Sequence, residues 1–560
     1  MITRGEAENW DAVVVGAGFG GLVCAAYLAV SGYKVVVFEH HDVAGGNGHT
    51  FRRRRAYEFD VGVHYLGDCA PGGLIPGILA GLGLSERVRF LEMDPDGFDR
   101  IQLPTVTVDV PAGWDRYRDR LVAALPADAA GIDTYVRIGR EVCDLQRNGL
   151  LRSEGLGQQS RESLELMVMA RGSLAALFDH CGLSTRARTV LAGQSANYGA
   201  APDQVTVSTH LSMIDHYLRG AYYPVGGGQA LVAALVEVIE AHGGSLRTRK
   251  RVERITIEDG KTTGVELADG ERHTAPLVVS NADFRRTVLD LAGGEQNFPA
   301  ALVRKTRKTQ MRLAFAVLYV ALDIELPDRP NANLWWFRDE DIESMYRELA
   351  EGTPNEVRSA FCSFASVKEQ GRADVCPPGH SNFQVMTLAR ADYPDWGVAG
   401  GPADGTRYRR DPAYQRSKQW WSDELLRTAE QALGPFRDHI THLELGTPLT
   451  HERYTLSSGG TPYGLSHWGG FGARPDTRTV VDGLYLVGQN TRAGSGVSGA
   501  MIGGISCAAQ ILGRSLLPEV LGGAVLANPA LLPERAADWD PLAVSRGTQR
   551  RRAKGLARVG

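Results

Sequence analysis

The chain has 560 residues, of which 43% are hydrophobic and 22% charged, and its formal net charge is −4. This length allows two or three domains, and the small net charge excludes a global attraction to nucleic acid. The seven cysteines are scattered without a C-x-x-C pair, so we expect neither a disulfide framework nor a zinc or other metal site. We predict a cytoplasmic protein without a secretory signal or a membrane-spanning segment.

The first informative segment is an apolar run followed by three spaced glycines. Ala12 to Val15 predicts a buried strand, Gly16-x-Gly18-x-x-Gly21 a tight turn, and Leu22 to Val30 a helix. A second predicted strand, Lys34 to Phe38, ends at Glu39. Backbone N–H groups at the helix start suit a pyrophosphate, and the terminal carboxylate suits ribose hydroxyls. In this order the elements predict a dinucleotide-binding unit.

Further glycine-rich segments and strands follow along the chain. Residues 44–50 contain Gly45-Gly46-Asn47-Gly48-His49-Thr50, which permits a second close approach of backbone to a ligand. Residues 69–220 read as mostly helical. Residues 221–283 predict a helix after Gly226-Gly227-Gly228 and four strands, Ser245 to Arg249, Val252 to Ile257, Thr263 to Leu267 and Leu277 to Ser280.

The second half of the chain mixes strands and helices before a last nucleotide-type block. Leu313 to Leu322 predicts a long strand and Arg416 to Leu433 a helix. Leu484 to Val487 predicts a strand, followed by a glycine-rich turn and a helix to about Leu512. The small residues of that helix allow it to lie close to another backbone or to a flat ring.

The nucleotide-type elements therefore fall in three separate pieces of the chain. We predict one nucleotide-binding domain from residues 1–68, 221–285 and 466–515, a second domain from 69–220 and 286–465, and a C-terminal tail at 516–560. From Arg546 to Arg558 the tail has six basic residues and no acidic one. A solvated tail is the first interpretation, and a weak contact with anionic lipid is the alternative.

Several motifs carry a family resemblance. They are Gly45-Gly46-x-x-His49-Thr50-Phe51, Glu58 to Gly67, His216 to Gly227, Val279-Ser280-Asn281-Ala282, Thr447 to Thr450, Arg453 to Thr455 and Gly488 to Ala500. In these motifs the chain resembles the FAD-dependent amine-oxidase-like superfamily, in its branch of phytoene desaturases, carotenoid isomerases and retinol saturases. The motifs of the first half look most like retinol saturase, and the resemblance covers most of the chain.

The resemblance implies an α/β protein with a Rossmann-like FAD-binding domain assembled from three chain segments, plus an inserted α+β substrate-binding domain. Two departures from related flavoproteins are Asn47, where many desaturases have arginine, and Gln489, where many relatives have an acid. The implied FAD contacts are Gly16, Ala17, Gly18, Phe19, Gly20, Gly21, Glu39, His40, Gly45, Gly46, Asn47, Gly48, His49, Thr50, Val252, Gly488, Gln489, Gly496, Val497, Ser498 and Met501.

The implied chemistry is flavin redox chemistry on an apolar polyene or isoprenoid substrate. A hydride transfer needs the reacting carbon within roughly 3–3.5 Å of the flavin. His64 and Tyr65 are the candidate catalytic residues for the accompanying proton, and a packed aromatic pair is the alternative interpretation. We interpret Asp60 as a structural residue of a hairpin.

We therefore predict an FAD-dependent oxidoreductase that desaturates or saturates C=C bonds of a carotenoid- or retinoid-like lipid. The alternatives are a redox-neutral cis–trans isomerase with reduced FAD, an amine-oxidase-type flavoenzyme, and a non-catalytic escort of prenylated proteins. We expect no nucleic-acid partner. A lipid substrate predicts peripheral contact with the inner face of the membrane as the alternative to a fully cytoplasmic protein.

Overall fold

A computed structural model describes residues 8–151, 161–326, 329–352, 354–466 and 474–548. The strands of these residues are β1 Glu8–Asn9, β2 Ala12–Val15, β3 Val35–Glu39, β4 Thr50–Arg53, β5 Tyr57–Asp60, β6 Leu66–Gly67, β7 Phe90–Glu92, β8 Asp99–Gln102, β9 Thr107–Val110, β10 Ala221–Pro224, β11 Ser245–Thr248, β12 Val252–Glu258, β13 Lys261–Leu267, β14 Arg272–Thr274, β15 Leu277–Ser280, β16 Ala314–Leu322, β17 Asn333–Phe337, β18 Ser359–Ser363, β19 Ser381–Ala389, β20 Ile440–Gly446 and β21 Leu484–Leu486.

The α-helices of the same residues are α1 Phe19–Val30, α2 Leu74–Gly81, α3 Trp114–Ala124, α4 Ala129–Leu151, α5 Arg161–Arg171, α6 Leu174–His180, α7 Thr185–Leu191, α8 Val207–Leu218, α9 Gly227–Ala241, α10 Phe284–Arg286, α11 Ala300–Lys308, α12 Ile342–Glu351, α13 Ala365–Lys368, α14 Pro412–Leu433, α15 Pro448–Thr455, α16 Gly496–Leu512, α17 Leu516–Leu521 and α18 Pro541–Val544. Within the described ranges, none of these helices combines the length and apolar character needed to cross a bilayer.

A five-stranded parallel sheet forms the centre of the nucleotide-binding half. Its strand order is β11-β3-β2-β15-β21, so strands from the start, the middle and the end of the chain pair side by side. The strands are continuous apolar runs such as Ala-Val-Val-Val because both faces of the sheet are buried. The predicted Rossmann-like unit built from three chain segments is confirmed.

Helices and a smaller sheet cover the two faces. Alternate residues of β2 point to opposite sides: Ala12 and Val14 pack with α1, α9 and α16, whereas Val13 and Val15 pack against β12 and β13. Helix α1 is buried along nearly its whole length. Small residues allow α16 to cross α1 closely, because a Cβ on Gly504 would lie 2.6 Å from the carbonyl oxygen of Gly20.

The inserted half contains a seven-stranded sheet of order β20-β16-β19-β18-β17-β8-β9. All neighbouring pairs are antiparallel except β17 with β8. One face packs against the helices of residues 114–218, and the other packs against α14. The region predicted to be mostly helical, residues 69–220, therefore also contributes strands, which are short and carry alternating polar side chains.

Two chain segments lie elsewhere than the predicted domain boundaries suggest. Helix α2 packs on the nucleotide-binding core beside α17, through Ile75, Ile78, Leu517 and Val520. The predicted C-terminal tail is folded as far as residue 548, because its apolar side chains cover that core. Most of the basic cluster predicted for the tail, from residue 549 onward, lies outside the described residues.

Candidate active site

A cavity of about 1050 Å³ lies between the two halves, where the carboxyl ends of β2, β3, β15 and β21 meet. This volume is at the upper end of the range for small-molecule and cofactor sites. The position is the one where open parallel sheets bind nucleotides. One part of the cavity is lined by backbone and polar groups, and the other part by aromatic and apolar side chains.

The polar part begins at the turn between β2 and α1. Gly18 occupies the N-cap of α1, where no side chain caps the helix and no acid stands in the first turn. Its N–H groups therefore remain available to an anion in the cavity. The turn needs glycine, because Gly16 has φ +94° and a Cβ on Gly21 would lie 2.4 Å from the Gly16 carbonyl oxygen.

Glu39 ends β3 at the cavity wall and is almost fully buried. Its carboxylate accepts hydrogen bonds from the backbone N–H groups of Ala17 and His41 and contacts His40 Nδ1, each at 2.8 Å. Burial raises the pKa of Glu39, but His40 and the backbone donors outweigh that effect, so the pKa lies below its ordinary value. An ionised acceptor held in this way suits the hydroxyls of a ribose.

The last chain segment closes the other end of the polar part. Gly488 follows β21 with φ +90°, and a Cβ there would lie 2.7 Å from Asn281 Oδ1. Helix α16 begins at Gly496, and no side chain caps its N-terminus. Two uncapped helix starts and a buried acid thus face one cavity. These groups fit a dinucleotide whose ring end lies beside Gly488 and the start of α16.

Most of the predicted cofactor residues line this cavity. They are Gly16, Gly18, Phe19, Gly20, Glu39, His40, Gly45, Gly46, Asn47, Gly48, Val252, Gly488, Gln489, Gly496, Val497 and Ser498. That these residues contact the cofactor directly remains a prediction.

The other predicted cofactor residues do not line the main cavity. Ala17 is buried and donates to Glu39, and Gly21 is packed inside the turn. His49 and Thr50 border a second cavity of about 580 Å³ on the other side of the loop. Met501 points into the apolar core because it lies on the face of α16 that packs against the rest of the domain.

The second part of the cavity is an apolar slot. Tyr65 stacks on Tyr217 with ring centroids 4.1 Å apart, and Trp335 packs against Phe361 at 4.2 Å. Such flat side chains offer a large contact area to an extended apolar ligand. The slot-lining side chains are Tyr65, Tyr198, Met213, Tyr217, Phe315, Val317, Trp335, Phe361, Met386 and Tyr463.

The two predicted catalytic residues lie side by side in this slot. The hydroxyl of Tyr65 donates a hydrogen bond to Asp99 Oδ2 at 2.9 Å and accepts one from Asn197 Nδ2 at 2.9 Å. Burial and the Asp99 carboxylate raise the pKa of Tyr65 well above its ordinary value. Burial and the charge of Lys368 lower the pKa of His64 to about 3, so its imidazole is neutral. His64 Nδ1 is buried without a hydrogen-bond partner.

A buried charged network behind the slot was not predicted from the sequence. Lys368 donates to the His64 carbonyl oxygen at 2.6 Å, Asn333 Oδ1 at 2.7 Å and Ser363 Oγ at 2.7 Å. Burial lowers the pKa of Lys368 and raises that of Asp60. Asp60, predicted to be structural, accepts the hydroxyl proton of Tyr223 at 2.5 Å and does not line the cavity. No local motif indicated the network, because His64 and Asn333 are distant from Lys368 in the sequence.

A cradle for a dinucleotide that is joined to an apolar slot fits a flavin-dependent oxidoreductase. The model of one family, described as flavin containing amine oxidoreductase, matches residues 19–313. This match spans more than half of the 560 residues, and the chain belongs to that family. Its cofactor is FAD. Within the described residues, no group of three or more His, Cys, Asp or Glu side chains is arranged to hold a metal ion.

Two relatives and one solved structure illustrate the similarity. The chain is 28% identical over 550 residues to an all-trans-retinol 13,14-reductase of Danio rerio, covering 91% of this chain and 87% of that protein. It is 27% identical to a chloroplastic prolycopene isomerase of Daucus carota, covering 93% and 83%. The fold is similar to that of an oxidoreductase from Methanosarcina mazei, with a TM-score of 0.59, 19% identity and coverage of 88% and 99%. The predicted resemblance is confirmed.

Proposed function

We propose that this flavoprotein reduces or forms C=C bonds in a retinoid- or carotenoid-like polyene. The observation that carries the proposal is the aromatic slot, which leads from the inserted domain to the glycine-rich ends of β21 and α16. A polyene is long, flat and apolar, and it gains free energy when such a slot removes it from water. Relatives named for a retinol reductase and a prolycopene isomerase support the same substrate class.

The protein's own task is to orient the polyene and exclude water. Bound FAD supplies hydride transfer. Gly16, Gly18, Glu39 and Gly488 would hold it, and the slot would hold one C–C unit of the polyene against its ring. Rigid stacked pairs such as Tyr65 with Tyr217 restrict the ligand to one plane, which favours a productive geometry.

Saturation also needs a proton donor in the slot. Adding a hydride to one carbon of a double bond leaves the neighbouring carbon to take a proton, and desaturation removes the same two hydrogens. We propose that Tyr65 transfers this proton. Its hydroxyl is oriented by Asp99 and Asn197, and it lines the slot. His64 is the second candidate, because its neutral ring has an unpartnered nitrogen beside the same slot.

The first test is anaerobic and uses the purified holoenzyme. If the enzyme desaturates, the oxidised flavin should lose absorbance when a partly saturated isoprenoid is added. If it saturates, the reduced flavin should regain absorbance when a polyene is added. Mass spectrometry of the product should then show a change of two hydrogens. No change of flavin absorbance in either direction, across carotenoids, retinoids and other polyprenyl lipids, would contradict the proposal.

A second candidate is cis–trans isomerisation by the reduced enzyme. The 27% identity to a prolycopene isomerase over 93% of the chain favours keeping it. Product analysis separates the two candidates, because isomerisation changes the chromatographic position and absorption of the polyene but leaves its mass unaltered. An isomer of unchanged mass, formed only after reduction of the flavin, would replace our first proposal with the second.

A further inference from the structure

Eight cationic side chains line the main cavity, and six of them have a carboxylate within 4 Å. The paired cations are Arg147 and Arg219 with Asp215, Lys250 with Asp269 and Glu271, Arg251 with Glu253, Arg286 with Asp404, and Arg492 with Asp476. Arg312 and Arg474 have no such partner among the described residues. These two guanidinium groups are therefore the uncompensated positive charges of the site.

Both guanidinium groups are held by backbone carbonyl oxygens. Arg312 donates from Nη1 to Tyr198 O at 2.6 Å, and its Nε is buried without a partner. Arg474 donates to Gln489 O, and from Nη2 to Tyr463 O at 3.2 Å. Burial and the charge of Arg312 lower the pKa of Arg474 to about 9. The backbone N–H of Arg312 donates to Gly464 O at 2.9 Å, next to the Tyr463 carbonyl that binds Arg474, so the two residues lie beside each other in one part of the cavity.

A buried cation pair without a counter-ion is unfavourable, and carbonyl dipoles offset only part of the desolvation cost. The acidic residue nearest to Arg474 in the sequence is Asp476, and it pairs with Arg492. An anion brought by a ligand would complete the arrangement. Guanidinium groups present a planar fork of N–H donors that matches a carboxylate.

The surroundings of the pair indicate what the anion is attached to. Arg312 lies two residues before β16, and Phe315 and Val317 of that strand line the apolar slot. Tyr198 and Tyr463, whose carbonyls hold the guanidinium groups, also line it. A ligand with its anionic end at the pair would therefore place an apolar body in the slot.

We propose that the substrate is a polyene with a carboxylate at one end, and that Arg312 and Arg474 bind this carboxylate. This inference rests on the proposed function, because it names the substrate class of the same slot. The pair then acts as a specificity determinant: it distinguishes a polyene acid from the corresponding alcohol or hydrocarbon. The pair also fixes the direction of the polyene in the slot, with its carboxylate end away from the adenosine part of FAD.

The test compares two probes that differ only in the end group, all-trans-retinoic acid and all-trans-retinol. Binding to the FAD-loaded enzyme is followed by quenching of protein fluorescence. We expect the acid to bind at least tenfold more tightly, because charge-assisted hydrogen bonds replace unpaired charges. In Arg312→Gln and Arg474→Gln, which keep a donor but lose the charge, most of this ratio should disappear while the dissociation constant of the alcohol changes less than about threefold.

Arg219→Gln is the matched control. It removes a cation from the same cavity, but Asp215 keeps its ion pair with Arg147, so the acid-to-alcohol ratio should stay unchanged. Equal binding of acid and alcohol by the wild-type enzyme overturns this inference alone and needs no folded variant. Binding of neither probe also contradicts the proposed function. If the variants keep the ratio but shift the flavin midpoint potential, the guanidinium groups serve the cofactor and the inference is wrong.

Discussion

The hydroxyl group of Tyr65 has two hydrogen-bond partners within the protein. The hydroxyl donates a hydrogen bond to Asp99 and accepts one from Asn197, and the ring stacks on Tyr217. Phenylalanine would fill the same space without the hydroxyl, so a substitution separates the role of the ring from that of the hydroxyl. The geometry therefore makes the hydroxyl itself testable.

We expect Tyr65→Phe to lower kcat about 100-fold or more with little change in substrate affinity, because general acid–base groups contribute factors of this size. Stopped-flow measurement of flavin absorbance gives the rate. Tyr217→Phe keeps the stacked ring and tests whether any loss of a slot hydroxyl has the same effect. A Tyr65→Phe rate within about threefold of the wild-type rate would show that Tyr65 serves packing alone.

The burial of His210 leads to a prediction about how the stability of the folded chain depends on pH. Its two ring nitrogens contact the hydroxyls of Tyr135 and Tyr198 at 2.8 and 3.0 Å, and burial lowers its pKa to about 3 from 6.5. Because the folded-state pKa lies below the unfolded one, the unfolded chain binds the extra proton as pH falls below 6.5. The stability from neutral His210 is therefore lost between pH 6.5 and 3.

This loss has a slope of at most about 1.4 kcal/mol per pH unit. We expect His210→Gln, which can still accept from one tyrosine and donate to the other, to make the fall of the unfolding free energy between pH 6.5 and 4.5 shallower by about that slope. Urea unfolding at several pH values measures it. Identical slopes for the variant and the wild type would mean that His210 is protonated in the folded chain.

The structural positions of residues that belong to a local motif were predictable from the sequence. Gly16, Gly18 and Glu39 are tied to a turn and a strand end that a few neighbouring residues define, so their position was predictable. Arg312 and Lys368 were not predictable, because each acquires its role from partners on distant strands and loops. Burial without a counter-ion has no signature in the sequence.

At the scale of elements, α16 has two adjacent glycines, and only Gly504 lies at its close crossing with α1. A Cβ on Gly504 would lie 2.6 Å from Gly20 O and 2.8 Å from Val23 Cβ. A Cβ on Gly503 would meet nothing nearer than Thr491 Oγ1 at 3.4 Å, which is ordinary contact. The two positions therefore provide a matched pair for testing how closely the helices must pack.

We expect Gly504→Ala to cost about 1–3 kcal/mol of stability and to reduce FAD retention, because α16 must move away from α1. Gly503→Ala should be neutral or slightly stabilising, since alanine favours the helix by up to about 1 kcal/mol. Thermal unfolding and the flavin-to-protein absorbance ratio measure both effects. Equal behaviour of the two variants would contradict the close crossing.

Elements with a clear periodicity were predicted almost to the residue. Strands β2 and β15 agree with the predicted ranges, and α16 ends where its apolar pattern ends. The short strands β8 and β9 were missed because a four-residue strand within a helical region lacks a periodic signal. Strand β8 pairs with β17, which lies more than 200 positions away in the sequence, and β9 pairs with β8.

At the scale of the whole molecule, the C-terminal segment 514–548 belongs to the nucleotide-binding half. Arg535 and Trp539 bind the buried Glu237 of α9, and Ser545 Oγ accepts a hydrogen bond from Gln229. Leu516 and Val520 are buried against the same core. The predicted tail began at residue 516, although its basic composition begins only at Arg546. The prediction therefore missed that the residues before Arg546 are folded.

We expect a chain ending at Gly513 to be insoluble or free of FAD, because removal of the residues after Gly513 exposes the apolar surface that α17 covers. A chain ending at Thr548 should keep FAD and its thermal stability, since it retains every described contact of this segment. Flavin absorbance of the purified proteins measures the outcome. A soluble, yellow protein ending at Gly513 would contradict the role given to the segment.

The order of the strands in the central sheet has a consequence for biosynthesis. The sheet needs β21, and the ring end of the site needs α16, which both lie beyond residue 480. At about 5–20 residues per second, translation of the roughly 200 residues between β15 and β21 takes about 10–40 s. Until then β15 has an open edge that can pair with other chains. FAD capture therefore waits for the last strand and helix of the nucleotide-binding half, and nascent chains depend on protection from aggregation during that interval.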